Sequence, residues 1–178
     1  YNPETGWLAT ANHRVMGDGY PHYLSSDFEN PARVCRVAEL LEGVEKLTVE
    51  DCLRFQLDTY SAMAARLARH LSAVEPADDR ERRALELLRD WDARLEVESV
   101  AASICQVVGL RALHLLFDGH LGELADPYVG LGVAVLDATS PYHGRSIVRL
   151  LDLLDGKGND GWLRDPERGE LPNRHGLL

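Results

Sequence analysis

The chain has 178 residues, 45% of them hydrophobic and 27% charged, with a formal net charge of −10, near the average of a globular chain of one domain or slightly more. That acidity argues against nucleic acid or an anionic membrane surface as a partner, since both would repel it. No run approaches the roughly 18 apolar residues of a membrane span, and no basic segment followed by an apolar stretch opens the chain as a secretion signal would.

Residues 3–12 are predicted as a turn followed by a strand: NPETG supplies turn chemistry, and WLATA alternates bulky and small side chains. The strand runs into Asn12, His13 and Arg14, and no partner strand is evident. From Val15 to Pro31 the chain is rich in turn residues (Gly17, Gly19, Pro21, Ser25-Ser26-Asp27) and reads as a long irregular loop of the kind that often carries function.

From Pro31 the pattern becomes helical. Pro31 suits a first helical position; Val34, Val37, Leu41 and Val44 share one face, and Gly43 is the expected stop. Thr48 and Asp51 form a capping-box pattern. It opens a predicted long helix whose stripe runs Leu53, Leu57, Tyr60, Ala64, Leu67 and Leu71 before Glu75-Pro76-Ala77 ends it. A third helix covers 78–90, with Leu85 and Leu88 inward. A fourth starts near Ser99, runs towards Gly119, and is apolar around most of its circumference, which predicts burial. Residues 127–144 are Gly-rich and ambiguous, 146–156 form a short amphipathic helix, and the tail from Lys157 is expected to be a loop.

The fold class expected is therefore mainly α. Residues 1–30 hold the strand and loop, 31–156 a helical domain, and 157–178 a truncated tail. The start at Tyr1 and the ending PNRHGLL lead us to expect a piece of a longer polypeptide.

Few residues stand out chemically. The three cysteines, Cys35, Cys52 and Cys105, are far apart, without a CxxC or a histidine at ligand spacing, so no zinc site is predicted. Cys35 and Cys52 lie among apolar residues and are expected in a core. His13, His22, His70, His114, His120, His143 and His175 are scattered, without an HExxH or a nucleophile elbow, and read as solvated or hydrogen-bonded. Gly130 and Gly132 in VGLGVAV lack the spacing and frame of a dinucleotide loop. Runs such as ADDRERR read as solvated helix faces. Gln56 and Asp58 interrupt an apolar helix. A buried Asp58 would need a cation, for which Arg33 is available, and a surface position is the other reading.

Taken together, TANHR, the YP that follows it, the Arg-initiated helix RVCRVAELL, LTVEDCLRFQLD, and LLRDWD with ESVAAS resemble, in the same order, the penicillin acylase family of N-terminal nucleophile amidohydrolases. This family includes penicillin, cephalosporin and acyl-homoserine lactone acylases. The likeness spans residues 3–108 and weakens beyond. It implies an αββα hydrolase core carrying a helical insertion, with the chain lying inside the large (beta) subunit. It also implies a self-cleaving precursor whose new N-terminal serine attacks an amide carbonyl.

By this resemblance Asn12 matches the asparagine of the oxyanion hole and Arg33 an arginine that supports the site. A mere strand end and a surface helix start are the plain alternatives. The nucleophile matches nothing here, so the chain alone is expected to be inactive. Some members bind calcium through an aspartate near the YP element. YPHYL has no Asp at the nearest match and Asp27 fits only after a shift, so no metal or other cofactor is assigned. The implied partners are an N-acyl small-molecule substrate and the remainder of the precursor, and the implied location is periplasmic or secreted. A helical interaction domain without catalysis, pairing residues 3–12 with a partner's sheet edge, is the competing reading. A relative that binds ligand without turnover is a third.

Overall fold

The computed structural model describes residues 2–131, 142–158, 160–165 and 169–170 and is mainly helical. The chain falls into two compact units, residues 1–59 and 60–178.

In the first unit the Pro3 carbonyl accepts from the Gly6 N–H at 2.9 Å to close a turn. Beyond it the strand expected over 3–12 is not formed among the described residues. Residues 7–10 lie without ladder partners, and the nearest pairing is an isolated parallel bridge between His13 and Glu29. Ladder hydrogen bonds define a strand, and they need a neighbouring edge.

Helix α1 spans Ala32–Leu41. Its first turn is capped by Asn30, whose Oδ1 accepts from the Ala32 N–H at 3.0 Å, so Pro31 stands one residue before the helix. Gly43, at φ +74°, adopts the left-handed conformation that ends it. Helix α2, Val49–Gln56, carries the full capping box. Thr48 Oγ1 accepts from the Asp51 N–H at 3.1 Å and Asp51 Oδ2 accepts from the Thr48 N–H at 3.0 Å. These bonds, the Thr48 backbone foremost, hold the Asp51 carboxyl below its ordinary range.

The long helix expected from Thr48 to Leu71 is two helices. It breaks after Gln56, and α3 restarts at Ala62–Leu71. Ser61 is the new cap, accepting from the Ala64 N–H at 3.2 Å, and its own N–H donates to the Ala93 carbonyl at 3.0 Å. The leucine stripe keeps helical spacing through the break, so periodicity does not reveal it. Neither α1 nor α2 holds a fully buried residue. Cys35 and Cys52, expected in a core, are accordingly exposed, whereas Cys105 is buried.

The second unit is a bundle of α3, α4 (Asp79–Arg89), α5 (Val100–Leu121), α6 (Ala125–Val129) and α7 (Tyr142–Leu154). Its centre is α5, started by Ser99, whose Oγ accepts from the Ala102 N–H at 3.1 Å. Helices α3, α4, α6 and α7 all pack on it, and Leu113, Phe117, Val129, Leu150 and Leu151 are completely buried. The segment Val100–Val129 is long and apolar enough to cross a membrane by length and composition, more so than the sequence reading allowed. Here it is the core helix, as its apolar circumference predicts.

Gly109 lets α3 approach closely, since a Cβ there would lie 3.1 Å from Leu67 Cδ2. Charge fastens α3 to the end of α7: Arg66 pairs with Asp152 and Asp155, each at 2.7 Å, and His70 Nε2 lies 2.7 Å from Asp155 Oδ1. The tail is more ordered than a loop. A 3₁₀ turn at Asp160–Leu163 leads into β1, Arg164–Asp165, which pairs antiparallel with β2, Gly169–Glu170. Of the ambiguous stretch 127–144, α6 occupies the start and α7 the end, while Gly132 lies outside the described residues.

Candidate functional site

Asn12 and Arg33, matched separately to the family pattern, meet in the first unit. Arg33 Nη2 donates to Asn12 Oδ1 at 2.8 Å. The contact joins the end of the opening segment to the first turn of α1, where Asn30 fixes the helix start. Asn12 is also held by its backbone: its carbonyl accepts from the Glu29 N–H at 2.9 Å. Its φ is +61°, a left-handed conformation that asparagine tolerates far better than bulky residues.

The chemistry of this contact settles which way the amide points. A guanidinium has only donors, so the oxygen end of the amide must face it and the NH₂ end turns away. Both residues are exposed, so the NH₂ group is open to a ligand from outside this unit. The positive charge on the oxygen also polarises the amide and strengthens its N–H groups as donors. The pair is thus a neutral hydrogen-bond donor whose orientation is set by a cation behind it.

One turn along α1, Arg36 engages Asp58 through the side of its guanidinium, Nε to Oδ2 at 2.7 Å and Nη2 to Oδ1 at 3.2 Å. Arg36 Nη1 also reaches Glu39 Oε2 at 3.0 Å. The Asp58 hydrogen bond is the main reason the guanidinium binds its proton more tightly than usual. The Asp58 side chain is only 9% exposed. It is therefore not a surface group, and its cation is Arg36 and not Arg33. Two arginines three residues apart on α1 thus divide the work. Sequence reasoning passed over Arg36, although its place one turn after Arg33 on the same helical face was a usable signal.

The histidines do not converge. His22 stacks edge-on against Tyr20, His70 pairs with Asp155, and His114 Nδ1 lies 3.0 Å from Asp118. His120 packs on Trp162, and His143 Nδ1 lies 3.2 Å from the Val129 carbonyl. His13 Nδ1 accepts a long 3.4 Å bond from the Ala11 N–H. His175 lies outside the described residues. Among the described residues no three His, Cys, Asp or Glu side chains gather as a metal would require. A cleft of about 170 Å³ in the second unit is lined mainly by apolar groups such as Met63, Leu67 and Ile147, with Ser61, Gln106 and His143 as its polar members.

The penicillin amidase family model matches residues 1–178, the whole chain. The chain belongs to the penicillin amidase family. It is 33% identical over 107 residues to penicillin acylase 2 proenzyme of Pseudomonas sp. (strain SE83), an alignment covering 57% of this chain and 13% of that protein. It is 28% identical over 155 residues to acyl-homoserine lactone acylase QuiP of Pseudomonas syringae pv. syringae, covering 79% of this chain and 18% of that protein. The QuiP of Pseudomonas aeruginosa is 36% identical over 66 residues, 37% of this chain and 8% of that protein. This penicillin amidase family chain therefore spans less than a fifth of the length of these relatives. The relatives are acylases, and the family is one of amide-hydrolysing enzymes.

Proposed function

We propose that the chain is part of the large subunit of an N-acyl amide hydrolase and supplies one side of its oxyanion hole. The observation that supports this reading is the 2.8 Å bond from Arg33 to Asn12 Oδ1, which turns the Asn12 NH₂ group away from the arginine, where it can donate to a ligand. In this reading residues 7–12 belong to a core sheet of the αββα type, completed by strands from the rest of the enzyme.

The nucleophile is a serine at a processed N-terminus elsewhere in the precursor. Its own α-amino group, titrating near about 8, takes the hydroxyl proton as the oxygen attacks the amide carbonyl. Negative charge develops on the carbonyl oxygen, and Asn12 Nδ2 donates to it. Because the donor is neutral, it favours the oxyanion over the ground-state carbonyl without a fixed charge that would bind both. The α-ammonium passes the hydroxyl proton to the amide nitrogen as the tetrahedral intermediate collapses and the amine leaves. Water, deprotonated by the same amino group, then releases the acid from the acyl-enzyme and restores the serine. The substrate class is an N-acyl amide of penicillin, cephalosporin or acyl-homoserine lactone type, and the location is periplasmic or secreted.

The test is Asn12→Ala in the full-length protein. Turnover should fall by about 10²–10³, the usual loss for one oxyanion donor, with the fold intact. A near-wild-type rate would remove Asn12 from the oxyanion hole and favour a non-catalytic role for this region. The 178-residue chain by itself should show no burst of chromogenic amine from an N-acyl substrate.

A further inference from the structure

Helix α1 carries Arg33 to Asn12, yet no residue of α1 is fully buried. Its inward apolar residues, Val34, Leu40 and Leu41, are only half-buried, so apolar packing holds the helix less firmly than a filled core would. A further hold is the fork of Arg36 on Asp58, two bonds at 2.7 and 3.2 Å, of the kind that fixes direction as well as distance. Arg36 lies one turn beyond Arg33, so both heads move together when the helix turns. Side-chain tips sit roughly 6 Å from a helix axis, so a rotation of ~10° carries the Arg33 head about 1 Å. That is enough to open a 2.8 Å hydrogen bond, and displacements of about 1 Å can cost ~10²-fold in rate.

We infer that Asp58 is a positioning residue, which acts through Arg36 and α1 to hold Arg33 against Asn12 and so aims the Asn12 amide. The inference rests on the oxyanion reading of Asn12 given above. Asp58 itself touches neither Asn12 nor, in that reading, the substrate. Its effect belongs on kcat and not on substrate affinity.

The test uses the full-length processed enzyme and an N-acyl chromogenic substrate, with active sites counted by the burst of released amine. Asp58→Asn keeps the volume and removes the charge. It should lower kcat by about 10- to 100-fold while KM stays within about threefold. In an Arg33→Gln background the same change should alter kcat less than about twofold, because no Arg33–Asn12 bond remains to be misplaced.

Should the Asp58→Asn precursor fail to accumulate, Arg36→Lys makes the same comparison, since it keeps the charge but loses the fork. A wild-type kcat in Asp58→Asn, or an equal loss in both backgrounds, overturns the inference. Asn12→Ala with unchanged kcat overturns the oxyanion reading itself. A loss in Asn12→Ala without one in Asp58→Asn overturns the positioning role alone.

Discussion

Arg33 and Asn12, 21 residues apart, are joined at 2.8 Å by a bond that leaves the amide nitrogen of Asn12 facing away from the arginine. The donor role proposed for Asn12 rests on that orientation.

The junction of α3 and α7 makes stability depend on acid. Partial burial opposes ionisation of Asp155, but its bonds to His70, Arg66 and Lys157 outweigh burial and hold the carboxyl at about 2. An unfolded aspartate titrates near about 3.9, so the folded state binds fewer protons between these values. The stabilisation is complete above about pH 4, declines as the pH falls, and is gone once the pH passes below about 2. Asp155→Asn should therefore lower the Tm at pH 5 and make little difference near pH 2. Thermal unfolding followed by circular dichroism at both values checks this, and an equal deficit at both would refute it.

The thiols should differ in reactivity. Burial pushes Cys105 up to about 11, and its Sγ–H lies 3.7 Å from the Ala64 carbonyl. At pH 8 an alkylating reagent acts on thiolate, so Cys105 should stay unmodified in the folded protein and react once denaturant opens the bundle. Peptide mapping after timed exposure to iodoacetamide reads this directly. Labelling of Cys105 as fast as a free thiol would show that α3 and α5 do not pack as described.

Gly130 closes α6 at φ +88°, and a Cβ there would come within 2.7 Å of the His143 backbone nitrogen. Gly130→Ala thus meets both a left-handed backbone, worth roughly 1–2 kcal/mol against alanine, and a contact that only movement of α7 can relieve. Urea unfolding should show a loss exceeding ~1 kcal/mol. A loss below that would mean that α6 and α7 separate without cost.

Local signals were the legible part of the sequence. The Thr48–Asp51 box and the starts at Asp78 and Ser99 rest on side chains reaching three residues ahead, and the structure has all three. The break between Gln56 and Ala62 was hidden because Leu53, Leu57, Tyr60 and Ala64 keep a helical period across it. What starts α3 afresh is capping by Ser61 and a hydrogen bond from Ser61 to Ala93, a contact of long range in sequence. Cys35 and Cys52 misled for a related reason: an apolar helical face predicts burial only where something covers it. Asn12 and Arg33 are singled out in the sequence by the order of the motifs, whereas their mutual hydrogen bond and the Arg36–Asp58 pair needed coordinates.

The most direct measurement is the rate of the Asn12→Asp variant of the full-length enzyme. An aspartate has the same shape, also tolerates the left-handed conformation and still accepts from Arg33, so the segment should stay in place with an unchanged or higher Tm. It has no N–H to donate, and it brings negative charge to the position proposed for the oxyanion. We predict that kcat falls by at least about 10²–10³. A rate within about twofold of wild type, with the fold retained, would contradict the account.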